Sequence, residues 1–471
     1  MLCFKFMKYI FNSIFILGIV LHSYSQTTFQ GGIYQNTTWD LAGSPYIVTS
    51  SIVVFPGNTL TIEPGVEILI NNQLDSSIYI ETRGTINCIG TDQLPIKIRT
   101  ISDTTNVGWQ GFVCTSSQGG ILNADRFDIA NASAPFSYEA PLTNYQYTNC
   151  IFRHCFQAIN VGNSVELSNC QFIDNESAVY GWSNFIINNC LFKDNNTAVF
   201  AYPTTFTMTN SQFIDNQTGV NFASGIFDSL HISDCQFLNN NMAIGYPNNG
   251  VVKNSIFIDN TTAIRYAYGV EVTSNEFINN EIAIEASIAA FVHDNQLINN
   301  FGAVLISGVT SPQNSPQIFN NQICDNITYI VNNNTNMNYS LLTNCFCGID
   351  SVEIENKIID GYDDITKGLI NYQVYDSTCT EVLQTVLKFN QTAGLEEEFF
   401  QNVKMVNPVS TVLQFMQEEL VTSIIVADIT GRQYELHSDN ANCFTVDFLN
   451  SGLYYIVGIN NRKASYKFIK I

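Results

Sequence analysis

Apolar and polar positions along the middle of the chain repeat around a phenylalanine. It stands at Phe152, Phe172, Phe192, Phe213, Phe237, Phe257 and Phe277, and continues as Leu297 and Ile323. A recurrence at about 20 residues is the mark of a solenoid, in which each coil buries its apolar face only against its neighbours. Seven and five positions before this anchor come the alternating apolar pairs Tyr145/Tyr147, Val165/Leu167, Phe185/Ile187, Phe206/Met208, Leu230/Ile232 and Val270/Val272. Seven and nine positions after it come Ile159/Val161, Val220/Phe222, Ile244/Tyr246 and Ile264/Tyr266. The anchor and the residue two before it supply a third pair. Alternation with a period of two predicts strands. Each coil is therefore expected to carry three short strands, and the stack to form an all-β, right-handed parallel β-helix of triangular section.

The positions between strands follow the same period. Three after the anchor stand Asn175, Asn195, Asn216, Asn240, Asn260, Asn280, Asn300 and Asn326. Asparagine tolerates left-handed backbone at a corner, and its amide can bond to the asparagine of the next coil, so a ladder is expected. Six after the anchor the residue is always small, from Ala158 and Ala178 to Gly219 and Ala303, as a tight corner requires. Two before it stand Cys150, Cys170, Cys190, Ser211, Cys235, Ser255, Asn275 and Asn295. With coils roughly 4.8 Å apart, these form an interior column of small side chains. Neighbouring cysteines at that spacing are able to pair. Buried free thiols, acting as small hydrophobes, are the expected state.

Beyond the repeats the pattern changes at both ends. Lys5 and Lys8 precede an apolar run from Ile10 to Leu21, too short to span a bilayer, and Ser23 and Ser25 supply small residues for cleavage. Residues 1–25 thus read as a signal peptide, with a mature start at Gln26. The stretch from Gly31 to Thr115 lacks the period but reads as β. The β-helix is expected over 26–387: irregular opening coils at 30–130, regular repeats at 145–348 and a closing segment at 349–387. An acidic linker follows at 388–402. Alternating strands with Gly turns then predict a small β-sandwich at 403–471.

Charge narrows the partners. The formal net charge of −22 becomes two units more negative once Lys5 and Lys8 leave. Nucleic acid is excluded as an expected partner, because binding it requires clusters of Lys and Arg. An acidic polysaccharide would need a bridging cation, whereas neutral glycans face no such barrier. No stretch after the leader is long and apolar enough to cross a membrane, and a monomer is expected.

Two runs carry family resemblances. Trp39, Pro45-Tyr46-Ile47-Val48, Asn58-Thr-Leu-Thr-Ile-Glu-Pro-Gly-Val66, Gly84, Pro95-Ile96 and Trp109-Gln-Gly111 resemble the opening coils of bacterial proteins of the pectin-lyase-like superfamily. Asn344-Cys-Phe-Cys-Gly348 stands where that group has Asn-Tyr-Trp-Gly, with cysteines in place of the aromatics. Cys324 and Cys347 each lie one past an anchor, on adjacent coils, and are the candidate disulfide. From Val403 onward the chain resembles the type A sorting domain of type IX secretion. The matching residues are Asn407-Pro408, the Asp428-x-x-Gly431-Arg432 hairpin, Leu449-x-x-Gly452-x-Tyr454, and Lys467-Phe-Ile-Lys470. The resemblance implies recognition by the type IX machinery of a diderm bacterium, then release or attachment to surface lipopolysaccharide. A secreted or outer-surface location follows from it.

Any functional site must be assembled from different coils, since no phosphate-loop, metal-hydrolase or nucleophile-elbow motif is present. Eight and ten after the anchor, Tyr180, Trp182, Phe200 and Tyr202 are expected to point to solvent, where aromatic rings can stack on sugars. The alternative is that the insertion Asn131 to Tyr145 folds over them as ordinary packing. Two after the anchor come His154, Asp174, Asp194, Asp215, Asn239, Asp259, Asn279, Asn299 and Asp325, flanked by Arg153 and Lys193. Asp174, Asp194 and Asp215 are candidate Ca²⁺ ligands, with His154 or Lys193 as base for β-elimination of a uronate. An exposed turn is also rich in Asp and Asn for reasons of backbone alone. The expected function is glycan binding by an adhesin or scaffold. A polysaccharide lyase or glycoside hydrolase, and a purely structural spacer, are the alternatives, among which fold does not choose.

Overall fold

The computed structural model describes residues 26–73, 76–102, 107–114, 118–136, 145–161, 164–223 and 229–376. It also describes 412–414, 423–428, 433–438, 443–446, 449, 452–459 and 462–470. The expected signal peptide and the 388–402 linker lie outside the described residues.

Each anchor phenylalanine occupies the centre of a three-residue strand, as in Ile151–Arg153, Gln171–Ile173 and Leu191–Lys193. These strands pair in parallel with the anchors in register, on to Leu297 opposite Ile323. From Phe152 to Phe277 the rings stack with centroids 4.6 to 4.9 Å apart. That matches the spacing of neighbouring strands, roughly 4.8 Å, so the rings lie nearly parallel, one over the next, along the buried interior. The result is a parallel β-solenoid of about 12 turns with about 21 residues in each. One apolar core runs from Ile33 to Ile370.

Among the described residues the anchor strands lie in one 16-stranded parallel sheet, and the other strands of the regular coils in a second. The opening coils add a four-stranded parallel sheet of Thr37–Trp39, Thr59–Ile62, Thr85–Ile89 and Ile121–Asp125. The second and third strands of a regular coil share the second sheet, in most coils as separate strands such as Gln157–Val161 and Val165–Ser168. In Ser177–Asn188 and Thr197–Thr209 they merge into one long strand. No residue in either takes a left-handed conformation, so the chain passes the expected third corner with only a register shift between Ser183 and Phe185.

The left-handed corner also differs from expectation. It falls on the residue before each ladder asparagine: Asp174 has φ 51°, Asp194 57°, Asp215 56° and Asn239 55°. The asparagine itself turns inward and is buried. The Asn175 backbone N–H donates to Asn195 Oδ1 at 3.0 Å, and its Nδ2 donates to the same oxygen at 2.9 Å and to the Phe152 carbonyl at 3.2 Å. This pattern repeats up to Asn326.

The column two before the anchor is buried throughout. Cys150, Cys170, Cys190 and Cys235 are free thiols. Higher in the stack, Asn275, Asn295, Asn321 and Asn344 turn the same column into a second amide ladder. Cys324 and Cys347 form a disulfide, with Cα atoms 5.4 Å apart. At the small corner, a Cβ on Gly219 would come within 2.5 Å of the Ala243 carbonyl oxygen.

The C-terminal strands are antiparallel. Ser423–Asp428 pairs with Gln433–His437 and Gly452–Ile459, which in turn pairs with Arg462–Lys470; Val412–Gln414 pairs with Cys443–Thr445. No helix among the described residues is long and apolar enough to cross a membrane.

Candidate functional site: an aromatic face on the second sheet

The strands Ser177–Asn188 and Thr197–Thr209 place Tyr180 opposite Phe200 and Trp182 opposite Tyr202. Strand alternation sends Val179, Val199 and Ala201 into the core, which leaves the four rings outside. Tyr180 stacks on Phe200 at 5.3 Å and 6°, and Trp182 on Tyr202 at 5.9 Å and 21°. Tyr180 meets Trp182 edge to face at 5.1 Å, so the two pairs stand nearly at right angles. Trp182 is 40% exposed and Tyr202 41%.

The insertion expected as a cover divides in two. Residues 131–136 belong to the coil: Ala132 bridges to Trp109, and Phe136 is buried and stacks on Tyr147 at 5.4 Å. Residues 137–144 lie outside the described residues.

The same sheet carries a second aromatic group that alternation placed inside. Tyr246 and Tyr266 take left-handed backbone, with φ 58° and 52°, which reverses the parity of the strand and turns both rings outward. They stack at 5.4 Å and 10°. The Arg265 guanidinium lies 5.7 Å from each ring centroid and 3.9 Å from Glu285. Glu285 is itself buried and accepts a hydrogen bond from Ser307 Oγ at 2.6 Å. Burial first, then the carboxylates of Glu285 and Glu281, pushes the nearby Tyr329 hydroxyl above its ordinary range. The one sequence signal for this group was Arg265 standing between apolar positions.

The Asp/Asn/His corner column behaves differently. Every member from His154 to Asp325 has positive φ, a conformation that Asn, Asp and His adopt more readily than other side chains. His154 Nδ1 lies 2.9 Å from Asp174 Oδ2, Lys193 Nζ 3.9 Å from Asp194, and Asn239 Nδ2 donates to Asp215 Oδ1 at 2.5 Å. Burial raises Asp194 above the usual carboxylate range. Lys193 lowers it, while Asp215 and Asp174 raise it further. No group of three His, Cys, Asp or Glu side chains among the described residues is arranged to hold a metal ion. Left-handed backbone alone is enough to select Asp, Asn and His along this column.

Of the sorting-motif residues, Asp428 ends its strand, Gly452 pairs with Lys470, and Tyr454 and Lys467 lie on the same antiparallel pair. Asn407, Pro408, Gly431 and Arg432 lie outside the described residues. Comparison of the chain with known protein families, curated proteins and solved structures finds no match.

Proposed function

We propose that this chain is an exported β-helix that binds glycans through its aromatic face, as an adhesin or scaffold at the surface of a diderm bacterium or after release from it. The observation that carries the reading is the exposure of Trp182 and Tyr202 within a four-ring cluster on the second sheet. A soluble chain gains nothing in its core from rings so placed, and such clusters are enriched where proteins meet partners. The acidic balance favours neutral sugars. Delivery is assigned to the C-terminal strands as a type IX sorting domain, supported by the order of their motifs and their antiparallel pairing; surface lipopolysaccharide is the proposed attachment.

The test is a glycan array on the mature protein and on Trp182→Ala and Tyr202→Ala. Each substitution is expected to reduce sugar binding ten-fold or more while leaving the melting temperature within a few degrees. A large fall in melting temperature would show instead that the rings are structural.

A further inference from the structure

We infer that Tyr246, Arg265 and Tyr266 form a second sugar-binding station in line with the first, so that the face holds an extended neutral glycan lying along the solenoid axis. This rests on the glycan-binding reading above. The strand register joins the two stations without a break: Tyr180 pairs with Phe200, Phe200 with Asn221, Asn221 with Gly245 and Gly245 with Arg265. Four coil steps of roughly 4.8 Å span about 19 Å, longer than one sugar ring. Between Phe200 and Tyr246 the outward position is the half-buried Asn221, and beside Tyr246 the Met242 side chain lies over Gly245, so no bulky ring separates the stations.

The backbone at the second station argues for a role outside the core. Bulky side chains rarely take positive φ, and such outliers persist where the surroundings hold them for function. Two tyrosines do so on adjacent coils, in register, and the outcome is a pair of parallel rings at the surface with Tyr246 40% exposed. Electrostatics selects the ligand. Arg265 is already matched by Glu285, so it offers N–H donors to hydroxyl groups without an uncompensated charge that would favour a carboxylated or sulfated chain. Tyrosine hydroxyls add further donors and acceptors.

The experiment measures binding of immobilised xylohexaose, cellohexaose and mannohexaose, their disaccharides, and an oligogalacturonate hexamer to the mature full-length chain. At least one neutral hexamer should bind ten-fold or more tightly than its disaccharide. Tyr266→Asn removes the ring but keeps a residue suited to left-handed backbone. It should lower hexamer affinity ten-fold or more, with the melting temperature unchanged or raised. Should that variant melt low, Arg265→Ala, at an exposed side chain, decides the matter by the same criterion. Equal affinity for hexamer and disaccharide would overturn the inference. So would wild-type binding in the second-station variants when Trp182→Ala has lost it, a result that leaves the first station standing. Preference for oligogalacturonate would overturn the neutral-chain assignment. A wild-type protein that binds none of these sugars would sink both this inference and the glycan-binding reading.

Discussion

Asn195 stands one coil from Asn175, and its single Oδ1 accepts both the backbone N–H and the side-chain Nδ2 of that residue, at 3.0 and 2.9 Å. Each rung therefore satisfies two donors of its neighbour while its own Nδ2 reaches the anchor carbonyl of an adjoining coil. An isolated hydrogen bond contributes modestly to stability, but a buried polar group left without a partner costs about 1–3 kcal/mol. Asn216→Ala would strip the acceptor from the Asn195 N–H and Nδ2, and the donor from Phe192 O and Asn240 Oδ1. A loss on the order of 3–6 kcal/mol is expected in denaturant unfolding, allowing for relaxation. The exposed neighbour Asn196, whose side chain donates to Glu176 and whose backbone bonds would survive the change, should change stability by about 0.5 kcal/mol or less when replaced by Ala.

The interior thiols should be chemically silent until the fold opens. Burial pushes Cys155 and Cys235 up to about 12 and raises Cys150 and Cys170 well above their ordinary value. The thiolate is the reactive form, so alkylation by iodoacetamide at pH 8 is expected to leave all four unmodified in the native protein. In denaturant they should react within minutes. Mass spectrometry of the native sample checks this, and stoichiometric labelling of Cys170 would show that the column is not sealed.

The stacked positions were legible in the sequence because a parallel stack favours identical neighbours: a phenylalanine fits best over a phenylalanine, and an asparagine over an asparagine. Trp182 and Tyr202 were legible too, since Val179 and Ala201 alternate with them on true extended backbone. Alternation fails where the backbone is not extended. Tyr246 and Tyr266 occupy positions that parity assigns to the core, and a single left-handed residue inverts that parity. The corner was displaced by one, from Asn175 to Asp174, because both residue types tolerate positive φ and only burial tells them apart. A break separates the second and third strands in coils such as Met242–Gly245 and Asn248–Lys253, with Tyr246 left-handed between them, whereas Ser177–Asn188 and Thr197–Thr209 run through without one.

The assigned route of export yields a cellular test. Deleting residues from Val403 onward removes every described antiparallel strand and leaves the solenoid core, which ends at Ile370. The truncated chain is expected to accumulate in the periplasm with the protease resistance and circular dichroism of a folded β-helix. Normal surface levels of the truncated protein, measured by surface labelling of intact cells, would refute the sorting assignment.

The corner carboxylates separate charge from backbone. Asp174 and Asp194 both hold positive φ, which Asn tolerates as well as Asp and Ala adopts less readily. Asp174→Asn should leave the melting temperature unchanged, whereas Asp174→Ala should lower it. Asp194 adds a pH signature. Its folded-state affinity for a proton is raised by burial, against Lys193 and with the help of Asp215 and Asp174. A raised carboxyl binds its proton more tightly in the folded than in the unfolded chain. Its contribution therefore favours folding when it is protonated, below the ordinary carboxylate value of 3.8, and is lost as pH rises through the raised folded value. At neutral pH the ionised group opposes the fold slightly, because it is half exposed and screened. Asp194→Asn is then expected to raise the melting temperature a little at pH 7 and to make no difference well below that value. Calorimetric titration with millimolar CaCl₂ should show the same heats for wild type and both Asn variants. A Ca²⁺-dependent rise in melting temperature that disappears in Asp174→Asn or Asp194→Asn would return this column from turn chemistry to cation binding.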